Sequence, residues 1–264
     1  MQNDKKYKFE DVTETPNAKA SREQLTRLYT RYRFASEFCD KRDVLEVACG
    51  AGLGLGYLAR SAKRVVGGDI HEDNLKFAHK TYNGRPNIYL YLLDAHNMPF
   101  DNKSFDVVIL YEAIYYLFQP EKFINEAHRV LRDDGILIIC TANKDWSGFN
   151  PSLYSFKYFS APELFLLLKN GSFEVKLFGD CIAHTDSLKD KIISAIKQMT
   201  VKLHLIPKTM KGKEKLKRIF FGKLKPIPPE ISDGMADYIQ PVPIPHDVPN
   251  MKYKVLFAVG HVRP

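Results

Sequence analysis

DVLEVACGAGLGLGYLARSAKRVVGGD, residues 43–69, opens with a short apolar run of strand type, Val44 to Ala48, and turns on Gly50, Gly52 and Gly54. A helical stretch follows to about Ala62, and a second strand, Arg64 to Gly68, ends on Asp69. The pattern predicts a β-loop-α-β unit with a glycine-rich first turn. Glycine there lets the chain turn sharply and brings bare backbone N–H groups and a helix N-terminus against a ligand. An acid at the tip of the second strand can accept hydrogen bonds from both hydroxyls of a ribose. Together these features read as a nucleoside-binding site.

The dinucleotide fingerprint asks for glycine at its sixth position, where this chain has Leu55, so the pattern is GxGxG. Glu46 stands ahead of it and completes E-x-A-C-G-x-G-x-G. A carboxylate at that point suits an amino group or a water and repels a pyrophosphate. This resembles motif I of the class I S-adenosylmethionine-dependent methyltransferases. Three later stretches resemble the same family in the same order. Asp94 to Phe100, DAHNMPF, is similar to D-A-x-x-L-P-F, with Met98 a volume-conserving replacement. Tyr111 to Leu117, YEAIYYL, ends a buried strand, Ser104 to Leu110, at the carboxyl edge of the sheet, where open α/β sheets bind ligands. R-V-L-R-x-x-G-x-L begins at Arg129. The resemblance covers residues 43–141 well and the ends poorly.

The resemblance implies an α/β fold: a Rossmann-like seven-stranded mixed sheet, its last strand antiparallel, flanked by helices, with a helical lid inserted between strands 6 and 7. It implies S-adenosyl-L-methionine as cofactor, contacted by Tyr29, Glu46, Ala48, Cys49, Gly50, Gly52, Gly54, Asp69, Ile70, Asp94, Ala95, Tyr111 and Glu112. Asp94 would accept from the adenine amino group; taken alone it reads as a turn or helix-cap residue. Relatives often carry a histidine after the fourth strand, and Tyr115 and Tyr116 hold those polar positions here. The base is therefore open, with Glu112, Tyr115, His96, His184 and His246 as candidates and packing the commoner role for each.

Composition agrees with a globular protein: 45% of the 264 residues are hydrophobic and 12% aromatic. The N-terminus, MQNDKKYKFEDVTETPN, is polar, with no secretory signal in view, and no apolar run approaches the ~18 residues of a spanning helix. Cys39, Cys49, Cys140 and Cys181 are scattered without a metal spacing, which reads as reduced thiols and a cytoplasmic protein with no metal. The formal charge is +8, yet residues 189–225 hold twelve Lys/Arg against two acids, which leaves −2 for everything else. That segment reads as a solvated basic face, a receptor for an anionic acceptor, or a docking surface for an anionic membrane or nucleic acid. No nucleic-acid module is recognised, so the membrane is the better of the last two.

Three regions are expected. Residues 1–40 form an arm and a helix, about Arg22 to Phe38 behind the capping box Ser21 to Gln24, which covers the cofactor and brings Tyr29 and Tyr32 toward its methionine end. Residues 41–181 with 251–264 form the core. Residues 182–250 form the basic insertion, read as a substrate lid because so long a gap does not stay structureless in a compact domain. Helices over His71 to Tyr82, Pro120 to Leu131 and Ser160 to Lys169 are expected, as are strands over Asn87 to Leu93, Ile136 to Cys140, Phe173 to Gly179 and Lys252 to Val262. The reaction expected is in-line displacement of methyl onto an O or N of a small-molecule, sugar or lipid-linked acceptor of anionic character. Its rivals are a non-catalytic module that keeps the fold as scaffold, and an RNA-modifying enzyme. The sequence leaves the oligomeric state open.

Overall fold

The computed structural model describes residues 13–152, 154–183 and 224–263. Five strands run parallel: β2 (Asp43–Val47), β3 (Arg64–Asp69), β4 (Ile88–Leu92), β5 (Phe105–Tyr111) and β6 (Leu131–Ala142). Strand β10 (Tyr253–Val262) lies antiparallel between β6 and β7 (Phe173–Ile182). The sheet order is β4-β3-β2-β5-β6-β10-β7-β9, eight strands instead of the seven expected. The extra member, β9 (Val242–Pro243), is two residues long and adds to the edge beside β7. Proline lacks an N–H to give to a further neighbour, which suits that outer position.

Alternation along the buried strands sends side chains to two cores. Val107, Ile109 and Tyr111 pack with Val44 and Val65 under α1 (Arg22–Ser36), α2 (Leu55–Leu58) and α3 (Glu72–Tyr82). Val108 and Leu110 pack with Leu45 and Val66 under α4 (Pro120–Val130) and α5 (Ala161–Asn170). The result is a three-layer α/β/α arrangement. Its strand order reverses at β2, between β3 and β5, the place where such sheets leave a crevice at their carboxyl ends.

Local signals held at the helix starts. Ser21 accepts from the Gln24 N–H at 3.2 Å while the Ser21 N–H donates to Gln24 Oε1 at 3.0 Å, the reciprocal box that begins α1. Two expectations change. The helix after the glycine turn is one regular turn, Leu55–Leu58, and reaches Ala62 only through looser turns. The turn expected at Arg132 to Gly135 is absorbed into β6 as an irregularity, where Leu131 pairs with Phe105 and Ile136 with Val107, and Asp134 takes φ +61.

The described part of the insertion returns across the first core. β8 (Lys225–Pro226) pairs with β1 (Lys19–Ala20), and Ile227 and Ile231 are buried there. Asp233 accepts from the hydroxyls of Tyr57 at 2.7 Å and Tyr29 at 3.1 Å and from Arg60 at 2.8 Å. Residues 184–223, which hold most of the basic segment expected within the helical lid, lie outside the described residues.

Candidate functional site

A cleft of about 520 Å³ opens at the carboxyl ends of β2, β3 and β5 and is roofed by α1. Its floor is the glycine turn. Ala48, directly after β2, has φ +54 and Glu112, directly after β5, has φ +50, so both strands leave the sheet through a left-handed residue beside the cleft. Non-glycine residues seldom take that conformation, and they concentrate at functional sites.

Glu46 is 1% exposed. Its Oε1 accepts from the Tyr32 hydroxyl at 2.6 Å, and its buried Oε2 finds no partner among the described residues. Burial pushes its carboxyl up to about 7, against the pull of Tyr32 and Arg31 and with a push from Asp69. A buried carboxylate with one oxygen unmatched is costly unless a donor arrives.

Asp69 is buried and already holds three donors. Oδ2 accepts from the Gly50 N–H at 2.9 Å, and Oδ1 accepts from the His71 N–H at 2.9 Å and Asn74 Nδ2 at 3.1 Å. The acid thus pins the glycine turn to the start of α3 and still lines the cleft. Farther along, Asp94 Oδ1 accepts from the His96 N–H at 2.8 Å and lies 2.7 Å from His96 Nδ1. Burial works to raise the Asp94 carboxyl, and His96 outweighs it and holds the carboxyl below its ordinary value.

The far wall carries a charge network that sequence reasoning missed. Arg27 Nη2 meets Glu112 Oε1 at 3.0 Å, Arg31 Nη2 meets Glu14 Oε2 at 2.6 Å, and the Tyr115 hydroxyl donates to Glu112 Oε2 at 3.1 Å. Burial lowers the Arg27 guanidinium, but the Glu112 carboxylate prevails and leaves it raised. Burial together with Glu112 pushes the Tyr115 phenol well up, so it stays neutral. The signal available was the placement of Arg27 and Arg31 one turn apart on the helix face that also carries Leu28 and Tyr32 inward.

Of the residues expected at the cofactor, Glu46, Ala48, Cys49, Gly50, Asp69, Ile70, Asp94, Ala95, Tyr111 and Glu112 line this one cleft, as do Tyr115 and His96. Three do not. Tyr29 points away because its hydroxyl serves Asp233. Gly52 and Gly54 face packed side chains: a Cβ on Gly52 would stand 2.8 Å from Ala78, and one on Gly54 would overlap the Tyr32 ring. Of the other histidines, His246 stacks on Phe165 with centroids 4.0 Å apart, and His184 lies outside the described residues.

Residues 45–139 match the family described as a methyltransferase domain. A probable S-adenosylmethionine-dependent methyltransferase of Mycolicibacterium smegmatis is 30% identical over 151 residues, which is 55% of this chain and 57% of that one. Phthiotriol/phenolphthiotriol dimycocerosates methyltransferase 1 of Mycobacterium ulcerans is 35% identical over 130 residues, 48% of this chain and 45% of that one. The chain thus spans about half the length of these curated relatives. A crystal structure of a putative methyltransferase from Bacillus halodurans superposes with a TM-score of 0.54 at 19% identity, covering 92% of this chain and 100% of that one, and shares the fold.

Proposed function

We propose that this chain, whose residues 45–139 are a methyltransferase domain of the class I S-adenosylmethionine-dependent kind, moves a methyl group to an oxygen or nitrogen of a small-molecule or lipid acceptor. Glu46 is the observation that carries the reading. Its unmatched, buried Oε2 suits an ammonium group, as the amino-acid portion of the cofactor presents, and repels the pyrophosphate of a dinucleotide. Asp69 would take the ribose hydroxyls, and Asp94 with Ala95 the adenine edge.

Bound S-adenosylmethionine supplies a methyl already activated on a sulfonium. The chain's residues have to align the acceptor and exclude water, and alignment alone is worth up to ~7–11 kcal/mol. Glu112 has both oxygens engaged, by Arg27 and by the Tyr115 hydroxyl, so its part is positional: it fixes the wall against which the acceptor rests. On that wall Arg27 and Arg31 face Glu112 and Glu14, two cations against two carboxylates, which favours an uncharged acceptor over the anionic one expected from the basic segment. The lid role of residues 182–250 we keep as a proposal for the part outside the described residues; none of residues 224–250 lines the cleft.

Calorimetric titration with S-adenosylmethionine tests the reading. The parent protein binds and Asp69→Ala binds at least tenfold more weakly; equal affinities would remove the ribose role. Mass-spectrometric detection of a methylated product from a lipid and metabolite extract, absent without the protein, separates an enzyme from a non-catalytic scaffold.

A further inference from the structure

Two large side chains next to residues that line the cleft are left in solvent together. Phe118 is 70% exposed and Phe156 is 61% exposed, and their rings meet edge to face at 5.6 Å. Single exposed apolar residues are ordinary, whereas a paired aromatic surface beside a ligand cleft calls for an occupant.

The pair is continuous with the cleft wall. Leu117, the residue before Phe118, lines the cleft, and the Phe156 N–H donates to the Tyr115 carbonyl at 2.8 Å. Behind it the Tyr115 ring stacks on Tyr158 at 4.5 Å and 24°, touches Tyr116 at 4.5 Å, and Phe149 closes edge-on against Tyr158 at 4.7 Å. An aromatic cluster therefore links Tyr115, whose hydroxyl meets Glu112 at the cleft, to the two exposed rings beside it.

We propose that this exposed pair is an acceptor subsite: Phe118 and Phe156 form a platform for an apolar tail, of alkyl or prenyl chemistry, that leaves the cleft while the acceptor's polar head meets the Glu112 wall. The proposal rests on the methyl-transfer reading above and adds the chemistry of the acceptor to it. Patch size favours a chain over a protein partner, because a stable protein interface takes about 800 Å² from each side and here two side chains stand proud. The paired charges on the same wall leave no net attraction for an anion, so the affinity of the subsite comes from apolar contact.

Hexan-1-ol, octan-1-ol and decan-1-ol are the probes, titrated calorimetrically into the protein with S-adenosylhomocysteine present. The parent protein should bind each longer alcohol more tightly, approaching about fourfold per methylene for full burial. Phe118→Ser with Phe156→Ser should flatten that dependence and leave S-adenosylhomocysteine affinity unchanged, while Phe77→Ser, an exposed ring on α3, should do neither. An affinity independent of chain length, or the same dependence in the double variant, overturns the platform. So does sedimentation of the parent protein with neutral phosphatidylcholine vesicles that the double variant loses while the alcohol dependence persists, since the rings would then serve a bilayer. Failure of the parent protein to bind S-adenosylhomocysteine counts against the methyl-transfer reading instead, and the alcohol series without cofactor then decides the platform by itself.

Discussion

The Tyr32 hydroxyl donates a 2.6 Å hydrogen bond to Oε1 of Glu46, and both groups are buried where α1 crosses the end of β2. With its other oxygen unmatched, the Glu46 carboxyl is raised from 4.5 to about 7. It binds its proton more tightly in the fold than in the unfolded chain. Its contribution to stability is therefore fully present below pH 4.5 and is lost as the pH rises through about 7. The loss is on the order of 3 kcal/mol for a group this buried. Glu46→Gln keeps an acceptor for Tyr32 and has no charge to bury. In the absence of cofactor its melting temperature should gain on the parent between about pH 5 and about pH 8. Parallel melting curves across that range would sink the assignment.

Tyr32 has a second duty, because its ring occupies the space a Cβ on Gly54 would need. Gly54→Ala should push the ring off, break the bond to Glu46 and open the cleft from its roof. The expected cost is about 1–3 kcal/mol of stability, the usual range for overpacking, together with lost cofactor affinity. Tyr32→Ala in the same background should make the alanine tolerable; additive losses in the double variant would count against a direct clash.

How the fold could be read from the chain, and where reading stopped, is visible in this turn. Strand, glycine, helix and acid are local signals, and residues 43–69 gave the unit to within a residue or two at the strands. The reasons for the glycines were not local. Gly52 is set by φ +73 and by Ala78 on α3, and Gly54 by a tyrosine twenty-two residues earlier. Arg27 and Arg31 escaped notice because periodicity assigns a helix's inward face to apolar residues, and only the partners Glu112 and Glu14 make one buried and one partly buried cation affordable. Tyr29, read as a cofactor contact, belongs to Asp233, a residue of the insertion whose return path no pattern announces.

Asn74 holds Asp69 from the side opposite Gly50. Asn74→Ala removes one of three donors and leaves the two backbone ones, so the glycine turn should keep its shape. A stability loss of about 0.5–1.5 kcal/mol is expected. Cofactor affinity should fall less than for Asp69→Ala in calorimetric titration. An equal fall would mean that orientation by Asn74, not the carboxylate itself, carries the ribose contact.

Asp233 separates support from gating. It joins Tyr29, Tyr57 and Arg60 at an exposed position, and the Tyr57 hydroxyl leads in holding its carboxyl below the ordinary value. Because residues 224–250 do not reach the cleft, Asp233→Ala should lower the melting temperature slightly and leave the cofactor dissociation constant within about twofold, less than 0.5 kcal/mol. A tenfold weakening would show that this stretch governs entry to the site.

Glu112 joins the two halves of the cleft, since its backbone takes a left-handed conformation directly after β5 while its carboxylate bridges Arg27 and Tyr115. Removing it leaves Arg27, among the described residues, with no carboxylate within salt-bridge distance in a half-buried wall, and Arg31 with Glu14. Glu112→Ala should therefore destabilise the fold by about 1–3 kcal/mol, the cost of leaving partly buried polar groups without their partner. Arg27→Ala alone should cost less, because Glu112 keeps the Tyr115 hydroxyl and the more distant Arg31, 3.8 Å away. The double variant should be better than the sum of the two by about 1–3 kcal/mol if the pair acts as a unit. Chemical denaturation of all four proteins measures that coupling. A value near zero would mean that the wall is held by packing of Tyr115 and Tyr158, and that the charges there are free to meet an anionic acceptor after all.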